Sequence, residues 1–225
     1  MSLDFGPKTS SRGLSFCVDA NNPKSWTSGS TVTNSVGSIT GTLFNSSVNS
    51  GYFDFNGTTG YLQFSHSDEI STTGNELTVS CWVRMNSVNT QRGLVCKRSS
   101  LTAGSYWLFI DTTNQIMWDT YQGSVQNRQT QNYSFAAGVW YNITCVYDAG
   151  VAGIKSIYVN DSNVSNTACS GSLTLDTSVL RIGSDSFASQ YFTDGDIAMV
   201  KIYYQALTHD EIRSNYNAHK DRFGL

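Results

Sequence analysis

The last tenth of the chain, "FTDGDIAMVKIYYQALTHDEI" from residue 192 to 212, holds four acids, Asp194, Asp196, Asp210 and Glu211. A pair of carboxylates can serve as acid and nucleophile in glycoside hydrolysis. On a strand, Asp194 and Asp196 would share one face about 6 to 7 Å apart. They flank Gly195, which suggests a turn or strand entry with solvated side chains. The three histidines, His66, His209 and His219, lie in separate contexts, and no Ser-His-Asp or Cys-His signature accompanies them. The residues therefore predict no catalytic group.

Helix chemistry accounts for two of the four acids. Thr208 stands where an N-cap belongs, and Glu211 three residues later completes a capping box. Leu207 and Ile212 are placed as a hydrophobic staple, and Ile212, Tyr216, His219 and Phe223 fall on one face. A C-terminal helix over 208–219 is expected to lie on the rest of the fold with that face inward.

Nearly every other segment is a short β-branched or aromatic run bounded by Gly, Asn, Asp and Ser, which predicts an all-β chain. "YFDFNGTTGYLQF" predicts two strands joined by a tight connection. "YWLFIDTTNQIMWDTY" predicts two strands around "DTTNQ", and "VWYNITCVYD" should pair with "IKSIYVND". About a dozen such runs point to a two-sheet antiparallel jelly-roll sandwich over residues 13–225, preceded by an N-terminal arm at 1–12. That arm is read as a loose segment that is disordered or orders against a neighbour. The apolar strand "DIAMVKIYY" should set Ile197, Met199 and Lys201 on one face and Ala198, Val200 and Ile202 on the other, beneath a covering layer.

Charged residues make up 14% of the chain and the net charge is -3. With Lys and Arg scattered singly, no nucleic-acid footprint is present. Met1 to Gly13 contains no apolar run, so no signal peptide is read, and no stretch is long enough to cross a bilayer. Five cysteines without a Cys-x-x-Cys argue against disulfides and zinc, and Cys81 and Cys145 read as buried thiols.

Ligand candidates come from aromatics beside polar groups. If Tyr106, Leu108 and Ile110 face the core, Trp107, Phe109 and Asp111 face away. Trp107, Trp118 and Tyr121 with Asp111 and Asp119 then suit a sugar, stacking its ring and holding its hydroxyls. Oxygens of Asp54, Asn56, Asp185 and Asp194 are the candidates for a calcium site. No other cofactor is expected.

The segments "YFDFNGTTGYLQF", "LTVSCWVRM", "GVWYNITCVYD" with "KSIYVND", "LRIGSDS" and "FTDGDIAMVKIYYQALTHDEI" occur in the order seen in laminin G-like domains. The chain resembles that family of the concanavalin A-like lectin/glucanase superfamily over about residues 13 to 218. The resemblance implies that Trp82 and Trp140 are structural, and that the domain binds glycans, proteins or calcium or serves as a structural module. Jelly-roll glycosidases of the superfamily carry Glu-x-Asp-x-Glu, which Glu69, Glu76 and Glu211 do not form. Where the family places an acid after the Ile of its Gly-x-Ile-Asp strand, this chain has Ala198, so a calcium role tied to that acid is not expected.

The ends "GLSFCVDANNPKSW" and "EIRSNYNAHKDRFGL" are similar to those of stand-alone domains in tailed-bacteriophage virion proteins. This implies a non-enzymatic virion surface protein, a capsid decoration or head-associated protein ahead of a tail fibre. Such a protein is made in the host cytoplasm and docks on capsid or tail proteins, with a homo-oligomer such as a trimer among its forms. A carbohydrate-binding adhesion module is the alternative, and a glycoside hydrolase of the same fold the second.

Overall fold

The structure is a computed structural model that describes residues 8–225. In chain order the strands are β1 (Leu14–Asp19), β2 (Thr31–Thr33), β3 (Thr40–Phe44), β4 (Ser47–Asn49), β5 (Tyr52–Asn56), β6 (Tyr61–Phe64), β7 (Glu76–Met85) and β8 (Arg92–Arg98). They continue as β9 (Gly104–Ile110), β10 (Gln115–Gln122), β11 (Val125–Asn132), β12 (Trp140–Asp148), β13 (Ile154–Val159), β14 (Ser162–Ala168), β15 (Leu180–Ile182) and β16 (Asp194–Tyr203). One helix, α1 (His209–Asn217), follows.

The strands form two antiparallel sheets. The first runs β14-β13-β12-β7-β16-β5-β4, with β1 also paired to β16. The second runs β11-β10-β9-β8-β15-β6-β3-β2. Period-2 alternation places Leu77, Val79, Cys81 and Val83 of β7 between the sheets with Ile143, Cys145 and Tyr147 of β12. Burial drives the Cys81 thiol up to about 12, so it behaves as a small hydrophobe. The expected hairpins β9/β10 and β12/β13 are present. "NGTTG" is a tight connection, but it carries the chain from β5 in the first sheet to β6 in the second.

The outer face of the first sheet is covered by the C-terminal segment. Thr208 caps α1, and the reciprocal bonds with Glu211 complete the capping box. Leu207 and Ile212 are buried in one cluster. Tyr216 stacks on Trp82 at 5.6 Å, and Phe223 lies 4.1 Å from Trp82 and 4.7 Å from Trp140. Trp82 and Trp140 are thus structural residues beneath the cover, outside the inter-sheet core. The helix is shorter than the expected 208–219. Thr208 is extended as the cap, and the chain tightens into a 3-10 turn at Lys220–Phe223.

Two expectations are corrected. In β16 a bulge between Ile197 and Met199 adds one residue and reverses the alternation. Ile197, Val200 and Ile202 face the inter-sheet core, while Ala198 and Met199 lie in the cluster under Phe223 and Lys201 contacts His219. The arm is not loose where it is described. Arg12 donates to Glu211, Gln205 and the Ala206 carbonyl, and the Ser10 amide donates to Asn215. Residues 8–12 therefore order on the chain's own helix, while residues 1–7 of the expected arm lie outside the described residues.

Candidate functional site

Among the described residues no α-helix lies over the outer face of the second sheet. On β9 the alternation sends Tyr106, Leu108 and Ile110 into the core and Trp107 and Phe109 outward, as the pattern predicts. Their rings stack at 3.6 Å with an interplanar angle of 10°. The Arg98 guanidinium of β8 covers the Trp107 ring at 3.4 Å. This stack is the floor of a cleft of about 460 Å³.

The floor is held by a buried ion pair. Asp185 accepts from Arg98 Nε at 2.9 Å and also from Arg98 Nη2, the Phe187 amide and Gln190. The two side chains are 0% and 1% exposed. Burial alone would raise the Asp185 carboxyl, but the bonds from Arg98 outweigh it and hold the group below the ordinary carboxylate value.

A second pair forms the wall. Asp119 of β10 and Arg128 of β11 are cross-strand partners, with Arg128 Nε and Nη2 each 2.8 Å from a carboxylate oxygen. Gln126 adds a bond to Asp119 at 2.6 Å. The hydrogen bonds that Arg128 itself donates to Asp119 are the largest influence on its guanidinium and raise its pKa. Tyr121, behind this pair, is fully buried; burial and then the Asp119 charge drive its phenol up to about 12.

The rim is built by loops. Asp111 Oδ1 accepts from the Thr113 and Gln115 amides and fixes the β9/β10 turn, in which Asn114 has φ 61°. Across the cleft, Tyr191 has φ 55°, an uncommon conformation for a bulky residue, and its ring lies 6.0 Å from that of Trp107. Backbone outliers of this kind concentrate at binding and catalytic sites. The Trp107 indole Nε1 is buried and donates to no described residue, which is uncommon for a buried donor.

Of the expected residues Trp107 and Asp111 line this cleft, while Asp119 and Tyr121 are fully buried behind Arg128 and Gln126 and do not line it. Trp118 is corrected: it lies fully buried between the sheets beside Tyr106, on the face of β10 opposite to Asp119, and cannot stack a ligand. Arg128, Gln126, Arg98 and Tyr191 were not read from the sequence. The alternation of Gln126 and Arg128 opposite Tyr121 and Asp119 is the signal that could have found two of them.

The four metal candidates do not form a site. Asp185 lies in the loop after β15, bound to Arg98 of the second sheet, while Asp54, Asn56 and Asp194 are in strands of the first. Asn56 Oδ1 is used by the Thr58, Thr59 and Gly60 amides, and Asp194 accepts from Asn86 and Ser87. Calcium takes 6–8 oxygens, a requirement these residues do not fit. Among the described residues no group of three or more His, Cys, Asp or Glu converges.

Asp194 opens β16 and Asp196 follows within it, the expected strand entry, but Asp196 is buried rather than solvated. Gly195 between them has φ 142°, and a Cβ there would meet the Arg84 carbonyl oxygen at 2.2 Å. Asp196 Oδ2 accepts Arg84 Nε at 2.9 Å and Nη2 at 2.7 Å.

Two antiparallel sheets packed face to face, one of them covered in part by a C-terminal helix, form a jelly-roll sandwich. The family model described as the concanavalin A-like lectin/glucanases superfamily matches residues 56–213, and the chain belongs to that superfamily. Among solved structures it is similar to the botulinum neurotoxin serotype G binding domain, with a TM-score of 0.70 and 14% identity over 90% of this chain and 50% of that one. It is also similar to Trypanosoma rangeli sialidase in complex with sialic acid, at 0.68 and 13% over 94% of this chain and 33% of that one. A structure of botulinum neurotoxin type C, whose cell entry depends on interaction with two ganglioside molecules, scores 0.68 at 11% identity over 92% of this chain and 51% of that one. The chain spans about half the length of the toxin chains and a third of the sialidase. A comparison with curated protein sequences gave no match.

Proposed function

We propose that this domain is a non-catalytic binding module that takes a glycan into the Trp107 cleft. The observation that carries this reading is the cleft itself. The buried Trp107 and Phe109 rings underlie it, Arg128 and the half-buried ring of Tyr191 stand over them as its reachable surface, and the Trp107 indole donates to no described residue. Carbohydrate recognition requires this combination of an apolar surface with a few fixed polar groups. The ganglioside dependence of the type C toxin adds support at the level of the fold. The absence of catalysis is part of the proposal: Asp194 and Asp196 each serve as acceptors for neighbouring side chains.

Tyr191→Gly is the informative variant, because glycine accepts the left-handed backbone while the ring is removed. On a glycan array the wild type is expected to retain a defined set of sugars. The variant should bind them roughly tenfold more weakly, for about 1.5 kcal/mol of lost stacking, with an unchanged melting temperature. Retention of no glycan by the wild type, or equal retention by both, would refute the reading.

Docking on a virion surface is the second reading. It draws support from the two ends of the sequence and from β11 and β14, the outermost strands of the two sheets. Both are rich in Ser, Thr, Asn and Gln and end their sheets among the described residues, although their edges meet, with Gln129 of β11 donating to Ser165 of β14. Co-sedimentation with tailed-phage heads and tails tests it, and a chain that stays in the supernatant with both would exclude it.

A further inference from the structure

Beyond the end of α1 and its 3-10 extension, part of the first sheet's outer face remains open. A cleft of about 410 Å³ lies there, lined by Asn49, Tyr52, Asp54, Arg84, Asn86 and Asp196. Register places Asp54 of β5 directly opposite Asp196 of β16, with Arg84 of β7 on the other side of Asp196. Like charges directly opposite on neighbouring strands destabilise a sheet. One guanidinium therefore stands against two carboxylates in the lining.

The hydrogen bonds determine what the cleft presents. Arg84 directs Nε and Nη2 to Asp196 Oδ2, and its guanidinium carbon lies 5.2 Å from the Trp140 ring and 5.6 Å from that of Tyr52. Asn49 donates Nδ2 to Asp54 Oδ2 at 2.9 Å, and Asn86 donates Nδ2 to Asp194 Oδ1 at 3.0 Å. Both amides thus spend a donor on a carboxylate, which leaves each with a carbonyl oxygen. Asp196 is 8% exposed, yet its Oδ1 accepts from no described residue, and neither do Asp54 Oδ1 or the two amide oxygens. Burial first, and then the Asp54 charge, hold the Asp196 carboxyl above its ordinary value despite Arg84. Arg222, whose guanidinium carbon also lies 5.6 Å from the Tyr52 ring, is engaged by Asp19 and the Gly51 carbonyl.

We propose that this cleft binds a primary alkylammonium group, received by the acceptor oxygens of Asp54 and Asp196 with the Tyr52 ring alongside. An ammonium has three donors and no acceptor, the complement of a lining rich in free acceptors. Its charge removes the repulsion between the two aspartates. A metal ion is a poorer match, because a guanidinium already occupies one side of the carboxylates. The site is on the opposite sheet from the Trp107 cleft and is independent of it.

The test is an amide-resolved NMR titration of the whole chain with n-butylammonium, and with n-butanol as the uncharged counterpart. Saturable shifts at Asp54, Arg84 and Asp196 are expected with the amine and absent with the alcohol. Asp54→Asn should weaken amine binding at least roughly tenfold and raise the melting temperature, since it removes the repulsion. A purely structural acid would not give that opposite pair of effects. Tighter binding of a lysine-containing peptide than of butylammonium would identify a protein side chain as the source, and equal binding a free amine; either supports the site. No saturable shift, equal shifts with butanol, calcium in place of the amine, or an Asp54→Asn variant that binds like the wild type would overturn it.

Discussion

The ion pair under the Trp107 floor is the most demanding electrostatic feature of the fold. Asp185→Asn keeps the shape of the side chain but leaves the Arg98 guanidinium, 1% exposed, without a counter-charge. Removing one member of a buried pair costs about 3–5 kcal/mol. At roughly 2–4 °C per kcal/mol for a chain of this size, the melting temperature should fall by about 10 °C. Because Arg98 covers Trp107 at 3.4 Å, the tryptophan emission of the native state should change as well. Urea denaturation of the wild type, Asp185→Asn, Arg98→Met and the double variant measures the coupling. Replacing both charges should recover much of the loss. A cost below about 1 kcal/mol for Asp185→Asn, or strictly additive single variants, would refute the claim that the pair is a tightly coupled buried unit.

Three further outcomes are expected. Phe223→Ala should cost about 3–5 kcal/mol in chemical denaturation, because its ring packs on both Trp82 and Trp140. Gly195→Ala should destabilise by more than about 1 kcal/mol in the same assay, since its Cβ would be 2.2 Å from the Arg84 carbonyl oxygen. His219 has its pKa lowered from 6.5 to about 4, by burial first and then by the Lys201 charge. The neutral imidazole is the folded form, so its contribution is complete above about 6.5 and is lost as the pH falls toward about 4. His219→Gln should flatten the stability profile across that window.

The repeating two-residue pattern made the sandwich legible, because a half-buried strand leaves no other periodicity. The helix cap was legible because Thr208 and Glu211 act through local spacing alone. The outward direction of Trp107, Phe109 and Asp111 followed from the same alternation. Trp118 was misjudged because an aromatic residue reads alike on either face of its strand. The bulge in β16 was invisible because that strand is apolar on both faces, so one inserted residue changes no visible pattern. Strand β11, "VQNRQTQN", lacks the apolar alternation that marks a strand, and Arg128 was missed with it. The pairing of Arg98 with Asp185 joins residues 87 positions apart, and no local signal records it.

The position of β16 has a consequence for how the molecule is made. It is the last of the described strands in chain order, yet it lies between β7 on one side and β1 and β5 on the other. Until residues 194–203 pair, β7 and β5 present open edges in a chain whose other described strands all come earlier in the sequence. Closure of the first sheet therefore waits until β16, the last of the described strands in chain order, is available to pair. A product released early, short of this strand, exposes the unpaired edges that invite association with other chains.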